Sequence, residues 1–122
     1  MRDFRQLVVW QKAHALTLMV YKVTSEFPRQ YLSGLAGQAQ RAATSVATAI
    51  AEAAARSGGP EFIKSIHAAL GWANQLEYEL LLARDLRLIE ARTYDNMQAQ
   101  LVEVKKMLNG LSRSVTLQET NS

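Results

Sequence analysis

The chain has no cysteine, two prolines and two histidines among its 122 residues. Without a thiol it can hold no disulfide framework, no thiolate metal site and no cysteine nucleophile. His14 and His67 are separated by most of two predicted helices, and neither belongs to a Glu-x-x-His pair of the kind that builds a di-iron site in a bundle. No C-x-x-C-H haem attachment motif exists, and the glycine-rich phosphate-binding patterns are absent. Ser45 has no base near it in sequence and no strand-turn-helix elbow. Glu77 and Glu79 stand two apart, so a helix sends them to different faces and they form no general acid/base pair. No cofactor, no metal and no catalytic activity are expected. Long apolar runs are missing too: Lys, Arg, Gln or Glu interrupts every one well before the roughly 18 residues of a membrane span. The start, Met1 to Gln6, lacks the apolar block of a signal peptide, so a cytoplasmic protein with no membrane partner is expected.

What remains is an ordinary globular composition, 48% apolar and 20% charged, sized for one domain with one core. Four segments carry helical spacing and none alternates as a strand does. In the first, Val9, Ala13, Leu16, Val20, Val23 and Phe27 draw one stripe that Pro28 closes, with Asp3 as a possible cap or a start nearer Leu7. The second runs from about Ser33 to Arg56, with Leu35, Ala39, Ala42, Val46, Ala49 or Ile50, and Ala53 inward. Ser57-Gly58-Gly59-Pro60 is a stop followed by a start, and Glu61 suits the positive end of the third helix. That helix carries Ile66, Ala73, Leu76, Leu80 and Ala83, with Arg84 and Arg87 in its last turn. The fourth repeats through Tyr94, Met97, Leu101, Val104, Leu108, Leu111 and Val115, interrupted only by Gly110. The spacing predicts an all-α fold, an antiparallel up-down-up-down four-helix bundle over residues 1–117, with a frayed tail at 118–122.

The second helix is coated with methyl groups. Its charged residues, Arg41, Glu52 and Arg56, fall near one line, leaving broad alanine surfaces on either side. One surface is expected to face the bundle and the other a second copy of the chain, through Ala43, Ala47, Ala51 and Ala54. Basic residues are scattered, and a net charge of +3 is modest for one chain. In a symmetric ring each small patch repeats, and the pooled charge attracts phosphates without reading bases. Arg41, Arg56, Lys64, Arg84 and Arg87 are the candidate phosphate contacts.

The ordered series "DFRQLVVWQKAHAL", "GLAGQAQRAATSVATAIAE", "EFIKSIHAALG", "LEYELLLARDLRLI" and "MLNGLSRSV" resembles the four-helix bundle proteins encoded in intervening sequences of bacterial 23S ribosomal RNA genes. That family includes the accessory variability protein of diversity-generating retroelements. The resemblance implies a pentameric homo-oligomer and, for the retroelement branch, RNA or DNA and a reverse transcriptase as partners. Val46-Ala47 stands where the family usually reads Ile-Pro, which predicts a straighter second helix, and alanines replace glycines after Glu52, which predicts extension toward Ser57. Trp72 occupies a position where a small residue is usual and is expected to fill a core gap or an interface pocket. Two functions follow: a self-assembling bundle that binds nucleic acid without sequence preference, or a protein-binding scaffold with no nucleic-acid role.

Overall fold

A computed structural model describes residues 3–56 and 58–121, with side chains described as far as Ser114. Four long helices make up the fold: α1 (Val8–Thr24), α2 (Gly37–Ala54), α3 (Gly59–Asp85) and α4 (Ala91–Asn121). Each packs against its neighbour in sequence, and α1 closes the ring against α4. Cross-links fix the antiparallel sense. The Thr17 hydroxyl of α1 donates to the Ala43 carbonyl of α2 at 3.2 Å, and Gln40 Nε2 of α2 donates to the buried Thr24 hydroxyl of α1 at 3.0 Å. Between α3 and α4, Gln98 Nε2 donates to Glu77 at 2.7 Å while His67 meets Ser112 at the other end. The packing is most extensive between α2 and α3 and thinnest between α1 and α4, where two grooves flank the seam.

The inward stripes meet as the spacing predicts. Val20, Ile50, Ile66, Leu76, Leu80, Met97, Leu101 and Leu108 are fully buried at the centre, with Ala69 and Ala73 letting α3 approach closely. Asp3 caps only a short 3₁₀ turn, Phe4–Gln6, by accepting from the Arg5 amide; α1 starts after Leu7 with no side-chain cap. Pro28 separates α1 from a brief turn, Arg29–Tyr31, and a π-helical stretch, Leu32–Ala36. Helical backbone therefore already precedes Ser33, where the spacing starts the second helix. α2 continues unbroken through position 47 and stops at Ala54, so the extension toward Ser57 does not occur within the described residues. At the next turn Gly58 and Gly59 adopt φ of 103° and 77°, a region that residues with a Cβ seldom enter, and Pro60 follows in the first turn of α3. α4 runs to Asn121, past residue 117 where the sequence reading ends the domain.

The end of α3 differs from expectation in an informative way. Leu88 N–H donates to Ala83 O and Arg87 N–H to Arg84 O, the paired bonds of a Schellman stop. Arg87 occupies its left-handed position, with φ 64°, where glycine is usual. It lies beyond the helix, not in its last turn.

Part of the alanine coat of α2 is taken up within the bundle itself. Ala43 is 1% exposed and Ala54 is 6% exposed, as part of an arc that also buries Ala36, Ala39, Ala42, Val46, Ala49, Ile50 and Ala53. A helix in a closed bundle touches two neighbours, so its apolar arc is wider than one stripe. Ala43 and Ala54 are thereby corrected from interface residues to core residues. The outward face of α2 is polar: Gln38, Arg41, Thr44, Thr48, Glu52 and Arg56 are exposed.

Candidate nucleic-acid interface

Three of the five predicted phosphate contacts belong to the α2–α3 hairpin, Arg41 on its outer seam. Because the helices are antiparallel, Arg56 near the end of α2 and Lys64 in the second turn of α3 flank the connecting turn. Arg41 lies fifteen residues before Arg56, about 22 Å along the axis at 1.5 Å per residue. All three are exposed, and none makes an ion pair among the described residues. Arg84 is elsewhere. Its guanidinium bonds Asp85 at 3.0 Å and lies 4.8 Å from the centroid of the Tyr94 ring on α4. Arg87 sits in the α3–α4 turn, exposed and without an ion pair among the described residues.

Trp72, on α3, is 38% exposed and fills no core gap. It lines a groove of about 370 Å³ on this same seam, together with Tyr21, Gln38, Arg41, Thr44, Ser45 and Gln75. A predicted interface residue and a predicted phosphate contact thus share one depression. Ala47 and Ala51, both half-buried, follow Ala43 at successive four-residue steps along the edge of α2 that faces α1, so the proposed interface set is divided over two edges and the core.

Next to the groove is Glu79, which sequence reasoning set on a different face from Glu77 without placing it in the core. Glu79 is 5% exposed, and its Oε1 has no hydrogen-bond partner. Burial pushes its carboxyl above the usual carboxylate range; a hydrogen bond from Gln75, one turn earlier, and the positive charge of Arg41 oppose that push. Both opposing groups line the groove. The signal was available: position 79 is three after Leu76 and four before Ala83, both inward. Glu77, two residues away, faces α4. Hydrogen bonds from Lys105 Nζ at 2.9 Å and from Gln98 hold its carboxyl below the usual range despite partial burial.

Among the described residues no three His, Asp or Glu side chains gather as a metal site would require, and no helix is long and apolar enough to cross a membrane. His14 lies flat on Trp10, ring centroids 4.8 Å apart.

The fold and this seam define an all-helical bundle protein with one mixed aromatic and polar groove. Residues 5–110 match the family model described as 23S rRNA-intervening sequence protein, and the chain belongs to that family. A crystal structure of a protein of unknown function from the S23 ribosomal protein family of Bacteroides thetaiotaomicron shares the fold, with a TM-score of 0.76 and 23% identity over 87% of this chain and 96% of that one. Among curated proteins, none matches the chain. Neither match names a retroelement or a reverse transcriptase.

Proposed function

We propose that the protein is a non-enzymatic, self-assembling helical bundle of the cytoplasm that holds RNA or DNA by its phosphates along the α2–α3 seam. The observation that carries this reading is the placement of Arg41, Arg56 and Lys64 on one hairpin, exposed and without ion pairs among the described residues, with Arg41 in the groove that also presents Trp72. Cations tracking a strand, with an aromatic among them, form the usual apparatus for binding nucleic acid without base readout. The names of the family and of the solved neighbour, which refer to ribosomal RNA and to a ribosomal protein, agree with an RNA partner. Three charges are few, and assembly compensates. A closed ring of five copies would multiply the +3 of each chain and repeat the seam around its circumference.

The test is affinity for a short labelled single strand at rising salt. Three neutralised phosphates give a slope of about −2 in log affinity against log salt, or roughly a twentyfold loss between 50 and 200 mM. Replacing Arg41, Arg56 and Lys64 together with glutamine should abolish that dependence. A second reading, a protein-binding assembly module with no nucleic-acid role, draws support from the exposed Val8, Leu18, Tyr78 and Leu86. Absent or salt-independent binding would favour it, and light scattering of the purified chain measures the assembly common to both.

A further inference from the structure

We propose that the groove bounded by Trp72, Tyr21 and Arg41 seats one unstacked nucleobase, so that the protein prefers a single strand to a duplex. The proposal rests on the nucleic-acid reading above and adds what that reading leaves open, the form of the nucleic acid. The groove's volume, about 370 Å³, is at the small end of ligand pockets, room for one ring system with its sugar. Its walls suit a nucleotide in three separate respects. Trp72 and Tyr21, 38% and 46% exposed, offer apolar faces on which a flat ring can stack. The amides of Gln38 and Gln75 and the hydroxyl of Ser45 supply donors and acceptors for the edges of a base, and the Thr44 hydroxyl, which donates to Gln40 O, adds an acceptor. Arg41 supplies the cation for the attached phosphate.

An aliphatic partner would leave Gln38, Arg41 and Ser45 covered with no hydrogen bond among the described residues, each at the cost of a lost hydrogen bond. An anion seated deep in the groove fits poorly as well, because the buried Glu79 carboxyl lies beside it, accepting from Gln75 and reached by Arg41 only through its field, with one oxygen still lacking a donor. Those two constraints orient the ligand. The neutral ring, whose edge can donate hydrogen bonds, goes inward, and the phosphate stays at the Arg41 rim. A duplex keeps its bases paired and stacked and can offer only phosphates.

Changing Trp10 to phenylalanine leaves Trp72 as the one tryptophan, because the sequence contains two. Its emission is then followed while adding three probes of equal charge: a single-stranded RNA octamer, the same octamer without bases, and a duplex. The expected result is quenching by the base-bearing single strand alone, bound about tenfold more tightly than the abasic strand. Trp72→Leu should erase that advantage and leave salt-dependent backbone binding intact, whereas Trp72→Phe should retain most of it. Equal affinity for base-bearing and abasic strands, or tighter binding of the duplex, overturns the base site while leaving the phosphate reading in place. Emission that follows protein concentration and ignores RNA means a second copy covers the groove, which also overturns it. No binding of any probe at low salt removes the phosphate reading itself, and the base site with it.

Discussion

Changing Glu79 to glutamine should stabilise the protein at neutral pH and leave it nearly unchanged in acid. The side chain is 5% exposed, and one carboxylate oxygen makes no hydrogen bond. Burial raises the folded-state pKa, offset in part by Gln75 and Arg41. The sign follows from linkage: a carboxyl whose pKa is higher folded than unfolded favours the fold while protonated, and that contribution disappears as pH rises through the folded value. Above that value the parent carries a buried charge with incomplete compensation. An unsatisfied buried polar group costs about 1–3 kcal/mol. Glutamine keeps the shape and one acceptor but brings an amide that needs its own partner, so the lower part of that range applies, about 1 kcal/mol. For a chain of this size that corresponds to roughly 3–5 °C in Tm. Urea unfolding at pH 7 and pH 4.5 reads it directly, with the gap shrinking at the lower pH and the m-value unchanged. A variant less stable than the parent at pH 7, or a gap indifferent to pH, would show that the carboxylate is well paired and refute the reasoning. Removing this negative charge should also strengthen RNA binding several-fold if Arg41 contacts phosphate.

Glu77 should respond to pH in the opposite sense. Its lowered pKa means that its contribution is present above the ordinary carboxylate range and is lost as pH falls through the folded value, and Lys105→Met should remove about 1 kcal/mol of it, measured by urea titration at pH 7 and pH 3. Gly71 lies in the interior of α3 with open space where a Cβ would project, so Gly71→Ala should add about 1 kcal/mol to unfolding free energy, read by thermal denaturation. Arg87→Gly should relieve the left-handed backbone and add about 0.5–1 kcal/mol; if Arg87 touches phosphate, the same change reduces the salt slope of single-stranded RNA binding by about 0.7.

The four inward stripes were legible because 3.6-residue spacing survives in all of them, and the positions named from it between Val9 and Leu108 are core residues except Val23, which is half-buried while Thr24 beside it is buried. Less legible was how wide each stripe had to be. A single chain does not say how many neighbours a helix has, and Ala43 and Ala54 look surplus until both α1 and α3 are set against α2. Arg87 was misplaced for a related reason. The Schellman bonds, and not a glycine, end α3, so the usual signal for that stop is missing. The groove was the hardest feature to read. Tyr21, Arg41 and Trp72 come from three helices, and no spacing along one chain connects them.

The seam between α1 and α4 has a dynamic consequence. The first helix is held mainly by the second, and its border with the fourth is thin and grooved at both ends, so the cheapest excursion of the native state is a hinge-like departure of residues 8–24. Amide protons there should exchange with deuterium ahead of those in the hairpin of the second and third helices. Such an opening would leave Arg41 and Trp72 in register while carrying Tyr21 away, making the first helix the movable wall of the pocket.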